Sequence, residues 1–216
     1  MNSERYKFPK IAHVPWSGTV TKDDRVLASM TSFDKASVVV SEKMDGECSS
    51  LYRDYLHARS INSQHHASRS WLKNLHAGIA CQIPDDWRIC GENLYATHTI
   101  HYKDLPSFFL VFAVYDAQNI CLSWPDTKAF AASIGLACVP VLYEGLYTEA
   151  AVRACFTGTS VFGASKQEGY VLRLHDRILW QFHALSFAKY VRPNHVQTDE
   201  HWLQRPVIPN ELRKTP

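Results

Sequence analysis

Apolar residues in this chain mostly come in short β-branched and aromatic blocks bounded by polar turns; only a few stretches carry helical spacing. Residues 36–40, ending in Val38-Val39-Val40, predict a strand leading into a polar loop at Lys43. Segments 49–53 and 55–60 predict a hairpin turning at Asp54, and 87–94 and 108–115 predict two further strands. A short strand is predicted over 139–143, and a second hairpin, 169–174 with 178–182, around Asp176-Arg177. Trp71, Leu75 and Ile79 lie four apart and predict a helix over 68–79 with Ser68 as N-cap. Pro125 and Gly135 bracket a second helix, and 148–156 reads as a short third one closed by Gly158. Residues 7–18, with Pro9 and Pro15, read as an extended arm. The pattern predicts an α+β fold of antiparallel sheets with flanking helices. Its expected parts are an arm and start of the core over 1–35, a core over 36–192, and a tail over 193–216 packed on the core.

With 216 residues, 46% of them hydrophobic and 20% charged, the chain can bury a substantial core, most simply as one domain. A net charge of +2 does not by itself declare a nucleic-acid binder. The basic residues are nevertheless clustered: Arg53, Arg59, Arg69 and Lys73 in one stretch, Lys189, Arg192, Arg205, Arg213 and Lys214 in another. The six cysteines are scattered with no C-x-x-C pair, which predicts free thiols rather than a disulfide frame or a zinc site. No apolar stretch approaches a membrane span and the first residues are polar, so the expectation is a soluble, cytoplasmic protein with no obligate protein partner. A P-loop kinase is excluded, because no G-x-x-x-x-G-K-[ST] run exists.

Chemistry concentrates where the valine strand ends, in Glu42-Lys43-Met44-Asp45-Gly46-Glu47. An ordinary lysine is only about one-thousandth neutral at pH 7, so Lys43 needs a nearby cation, Lys189 or a metal, to become a nucleophile. Taken alone, Lys-x-Asp-Gly is equally an ordinary turn. Four more segments follow in order: His57-Ala58-Arg59-Ser60, Gly91-Glu92-Asn93-Leu94-Tyr95, the apolar run around Phe112, and Glu168-Gly169-Tyr170-Val171, with Lys189 beyond them.

This series resembles the lysine-adenylating nucleotidyltransferases, the superfamily of ATP-dependent DNA ligases, RNA ligases and mRNA capping enzymes, and most closely the RNA ligase 2-like family. The resemblance runs from about Val38 to Lys189 and implies a nucleotidyltransferase domain that holds ATP between antiparallel sheets. It also implies roles. Lys43 would attack the α-phosphate of ATP, in a site that includes Glu42. Asp45 and Arg59 would hold the ribose, Asp45 alternatively orienting a metal-bound water and Arg59 also reaching a 5′-phosphate. Glu92 would bind ribose or metal, Phe112 would stack on adenine, Glu168 would bind a catalytic Mg²⁺ or Mn²⁺, and Lys189 would neutralise the α-phosphate. Carboxylates are the oxygen ligands such ions want. Arg59, Arg69 and Lys73 would grip a nucleic-acid strand. One departure stands out: the fifth motif usually has two lysines one residue apart, and Phe187 occupies the first place; either another cation, Lys166 or Arg173, replaces it, or the contacts to the α-phosphate are thinner.

The implied activity is joining of RNA 5′-phosphate and 3′-hydroxyl ends at nicks through a lysyl-AMP intermediate. A small DNA or mixed DNA/RNA ligase is the alternative, and a non-catalytic nucleic-acid-binding module the alternative of another class. Only 27 residues follow Lys189 (216 minus 189), so the oligonucleotide-binding domain of DNA ligases and capping enzymes is not expected.

Overall fold

A computed structural model describes residues 4–163, 166–195 and 206–214. Its centre is β2 (Ser37–Glu42), whose three valines are fully buried and alternate between two cores. Val39 packs with Met44, Leu94, Leu110 and Trp124, whereas Val38 and Val40 pack with Phe33, Tyr170 and Leu172. This two-sided burial is what an uninterrupted β-branched run encodes.

Two five-stranded sheets form. The first has β1 (Ala12–His13), β10 (Phe187–Val191), β9 (Gly169–Leu174), β2 and β8 (Val141–Leu146) in that order. The second has β4 (Leu56–Ala58), β3 (Glu47–Leu51), β5 (Arg88–Asn93), β6 (Phe109–Tyr115) and β7 (Ala137–Cys138). Pairing is antiparallel except for β1 with β10 and β6 with β7. The apolar clusters draw on both sheets, joining Val39 to Leu110 and Phe187 to Cys90, Ala113 and Tyr115. The chain crosses between the sheets at 43–46, and Gly46 makes that crossing possible. A Cβ there would sit 2.5 Å from the Asn93 carbonyl oxygen.

The helices are α1 (Ser70–Ile79), α2 (Trp124–Ser133), α3 (Glu149–Ala154) and α4 (His183–Ser186). Ser123 caps α2, Pro125 sits in its first turn, and Gly135 follows it at φ +75°. Ser68 is not the cap of α1: a 3₁₀ turn over Ala67–Arg69 intervenes, with the His66 side chain accepting from the Ser68 amide. The residue of α1 that goes fully under is Leu72, while Trp71 and Leu75 stay half-buried.

Two predicted strands fold otherwise. Residues 178–182 do not pair with β9, because β10 and β2 already occupy both of its edges. Ile178 instead bridges Cys121, and Trp180–Phe182 closes as a 3₁₀ turn leading into α4. The strand at 139–143 is split at Pro140, which has no N–H to give a ladder. β7 ends before it on the second sheet and β8 starts after it on the first. The arm is not merely extended, since β1 adds a strand to the first sheet. Of the tail, 206–214 lies along 96–105, where Asn210 donates to the Leu94 carbonyl and accepts from the Tyr102 amide. Arg205 lies outside the described residues. All six cysteines are free thiols, and among the described residues no helix is long and apolar enough to cross a membrane.

Arg69, a candidate for gripping a strand, is turned inward. Its Nε lies 2.7 Å from Glu47 Oε2 and its Nη2 2.5 Å from Glu47 Oε1, with both side chains 9% exposed. Its guanidinium is spent on a buried bidentate pair that ties the turn before α1 to β3. Lys73 remains exposed, its Nζ 3.0 Å from His65 Nδ1. Arg69→Ala strands the buried Glu47 carboxylate and is expected to cost about 3 kcal/mol or more in denaturant unfolding. Replacing both residues, Glu47→Gln with Arg69→Met, is expected to recover most of that loss.

His183 gives a pH test of the same core. Its Nε2 lies 2.9 Å from Tyr115 Oη, and its pKa is pushed down to about 3 by burial, with the Arg88 and Arg173 charges adding to the effect. The native state keeps this ring neutral while the unfolded chain protonates below about pH 6.5, so stability must fall as pH drops through that value. Between pH 6.5 and 5 the loss from this group is about 2 kcal/mol. His183→Gln is expected to flatten the decline of the urea midpoint over that range; an unchanged slope would contradict the neutral burial.

Candidate active site

A cavity of about 680 Å³ opens between the sheets. The first sheet gives it Glu42, Val171, Arg173, Phe187 and Lys189; the second gives Glu47, Cys48, Glu92 and Phe112. Lys43 lies at the crossing between them, its amide donating to the Gly169 carbonyl at 3.0 Å. Gly169 is obligatory there, because a Cβ would fall 1.9 Å from the Tyr190 carbonyl oxygen.

Lys43 Nζ sits 2.6 Å from Glu168 Oε1. Asp45 and Glu92 flank the pair. Glu92 Oε1 accepts from the Gly46 amide at 3.2 Å, and Asp45 Oδ2 accepts from the Thr99 and Ile100 amides at 2.8 and 2.7 Å. Burial pulls the Lys43 pKa down, but Glu168, Glu92 and Asp45 outweigh it and the net shift is upward. Lys43 is thus held as an ammonium against these carboxylates. The carboxylates respond to the same crowding. Burial, reinforced by Glu168 and Asp45 and opposed by Lys43, lifts Glu92 to about 8. Burial also raises Glu168 and Glu42. Asp45 alone moves down, burial being overridden by His195 and Lys43. A site with this surplus of buried carboxylate calls for more positive charge than one lysine supplies.

Asp45 is less free than a ribose ligand needs to be. One oxygen serves two backbone amides and the other lies 3.5 Å from His195 Nε2. His195 is also 3.2 Å from Glu168 Oε1, the oxygen that holds Lys43. Asp45, Glu168 and His195 each bring one ligand atom within 4.8 Å of the others, and Glu92 is not part of that trio. Among the described residues, Glu168 Oε2 and Glu42 Oε1 are buried without a hydrogen-bond partner. Unspent carboxylate oxygens beside Lys43 fit a divalent cation.

Lys189 reaches the cavity from β10, but its Nζ is 3.2 Å from Asp24 Oδ1, and Asp24 also faces His13 Nε2 at 3.3 Å. Burial lowers the Lys189 pKa against the pull of Asp24. Arg59 is exposed at the rim, and Phe112 is half-buried with Phe8 edge-on to it, ring centroids 4.9 Å apart. Neither suggested replacement fills the place of Phe187. Lys166 is exposed and does not line the cavity. Arg173, the cross-strand partner of Phe187, donates to the carbonyls of Leu174, Phe112 and Leu122. Asp24 and His195 were not legible as site residues, since neither sits in a patterned segment; only folding of the arm and of the 192–195 turn brings them in.

The sequence profile of the family described as RNA ligase matches residues 36–191. A comparison with curated proteins found no match. Among solved structures, an archaeal ATP-dependent RNA ligase is similar at TM-score 0.57 and 19% identity, over 89% of this chain and 50% of that one. A Naegleria gruberi RNA ligase variant with ATP and Mn aligns at TM-score 0.55 and 15% identity, over 88% of this chain and 61% of its own. A second N. gruberi variant with ATP and Mn gives 0.54 and 16%, over 76% and 52%. At such identities the likeness is one of fold, and this chain spans roughly half to three-fifths of the length of those structures.

Proposed function

The chain belongs to the RNA ligase family, and we propose that it is an ATP-dependent polynucleotide ligase, acting on RNA, that works through a lysyl-AMP intermediate at Lys43. The observation that carries this reading is the ammonium of Lys43 on Glu168, 2.6 Å away, at the floor of an inter-sheet cavity that also holds Glu92, Phe112, Arg59 and Lys189.

In this reading ATP enters with its base against Phe112 and the apolar wall of Val139 and Val171, and its ribose toward Arg59 and Glu92. The α-phosphate then lies between Lys43 and Lys189. Lys43 gives its proton up on the Glu168 side and its nitrogen attacks the α-phosphorus; the bond to pyrophosphate breaks and Lys43 carries AMP. A 5′-phosphate end takes the AMP from Lys43, and a 3′-hydroxyl displaces it as the strands join. Lys189 offsets the negative charge that develops in each transfer, once the phosphates draw it from Asp24. A divalent ion, Mg²⁺ or Mn²⁺, would be held by Glu168 with Glu92 nearby and would supply positive charge to offset the buried carboxylates and the phosphates. Titratable and charged groups, rather than stacking residues alone, fill this cavity, which favours the enzyme over a simple binding module.

The test is a panel of substrates with 5′-phosphate ends, assayed with ATP and Mg²⁺ or Mn²⁺. It uses nicked duplexes with RNA or DNA on either side of the nick, and the same strands without template. A template supplies the proximity that makes joining effectively unimolecular, so nicked RNA is expected to be sealed fastest and free strands slowest. Lys43→Ala is expected to abolish sealing, and Lys189→Ala to slow it on the order of a hundredfold. Faster sealing of DNA nicks would move the assignment to the DNA ligase alternative; binding of nicked duplex without sealing would overturn it in favour of a binding module.

A further inference from the structure

We propose that His195, with Asp45 and Glu168, forms the binding site for a divalent transition-metal ion, so that the ion at this centre has a nitrogen ligand as well as oxygens. The inference rests on the ligase reading for its purpose but not for its geometry. His195 Nε2 stands 3.2 Å from Glu168 Oε1 and 3.5 Å from Asp45 Oδ1, and the three ligand atoms fall within 4.8 Å of one another. For bonds of about 2.1 Å, the edges of a coordination polyhedron run from roughly 3.0 to 3.4 Å; the 3.2 Å spacing to Glu168 is that of neighbouring ligands, and the 3.5 Å spacing to Asp45 lies just outside that range. All three residues are buried, at 5%, 8% and 4% exposure, which makes the site built rather than incidental.

Two further observations point at a cation. Glu168 Oε2 is buried and, among the described residues, without a partner, so the carboxylate holds capacity beyond its contacts with Lys43 and His195. The ammonium of Lys43, 2.6 Å from Glu168 Oε1, is already one cation drawn to this point by the surrounding carboxylates. The backbone holds the ligands in place. The Thr99 and Ile100 amides fix Asp45 through its other oxygen, and the Arg192 amide donates to the Glu168 carbonyl three residues before His195.

An imidazole in the set changes which ions it prefers. Mg²⁺ seeks oxygen and keeps its waters, whereas first-row transition ions accept imidazole readily. Mn²⁺, which both binds such a set and carries an electron spin, is the probe.

The experiment is electron spin-echo envelope modulation of Mn²⁺ alone bound to the full chain, with nucleotide left out so that the only nitrogen available is the protein's. Modulation from a directly bound imidazole ¹⁴N is expected in the wild type and is expected to vanish in His195→Gln. The same substitution is expected to weaken Mn²⁺ binding at least about tenfold by equilibrium titration, since even outer-shell partners are worth that much. Glu168→Gln, read in the same two ways, provides the second variant should His195→Gln melt early. Bound Mn²⁺ without nitrogen modulation would overturn the proposal. So would modulation that survives His195→Gln, or no Mn²⁺ binding in the absence of nucleotide. None of these outcomes bears on whether the wild type seals nicks with Mg²⁺, so the ligase assignment stands or falls separately.

Discussion

The salt bridge from Lys43 to Glu168 is built at the end of the first sheet and organises what lies between the two sheets. Lys43 immediately follows β2 and Glu168 immediately precedes β9, and those strands are hydrogen-bonded neighbours, with Glu42 opposite Tyr170. Glu92 comes from the other sheet and meets the pair only because the chain crosses at Gly46 without a side chain. One ammonium therefore faces carboxylates delivered from two layers. Burying that much like charge is costly unless cations enter. The raised pKa values of Glu92 and Glu168 are the electrostatic record of that cost.

The same constraint explains the second layer of contacts. Lys189 is kept in the cavity by Asp24, which burial alone would push toward neutrality but which the Thr21 hydroxyl and amide, with Lys189, hold well below the usual carboxylate range. An arm residue thus holds the lysine at the cavity. Phe187, where the family's motif usually has a lysine, packs into an aromatic group with Phe8 and His183. The Arg173 guanidinium lies 5.4 Å from its ring centroid. Phe187 serves packing at this position, and Arg173 beside it in the cavity wall donates to backbone carbonyls.

Much of this was legible in the chain because the chemistry sits at the ends of strands with strong local signatures. The valine run placed Lys43, and the hydrophobic blocks at 87–94 and 108–115 placed Glu92 and Phe112 on neighbouring strands. What failed was everything decided by competition between distant segments. Residues 178–182 have strand composition, but β9 had no free edge for them. Arg69 reads as a surface cation until Glu47, 22 residues earlier, is found buried beside it. His195 and Asp24 carry no periodicity at all, and only the closing of 192–195 and of the arm onto β10 gives them meaning. The setting of Lys43 was hidden for a related reason: the sequence shows which charges exist, not that Glu168, Glu92 and Asp45 all converge on its ammonium.

The central claim is that Lys43 is the residue on which the nucleotide is carried. The direct measurement is tandem mass spectrometry of the full chain after incubation with ATP and a divalent ion and quenching without acid, reading the position of any added adenylyl group. The account expects a single adduct on the peptide that contains Lys43, localised to its side chain and absent after treatment with excess pyrophosphate, which reverses the transfer. An adduct on another residue, or a chain that binds ATP and never becomes modified, would contradict it.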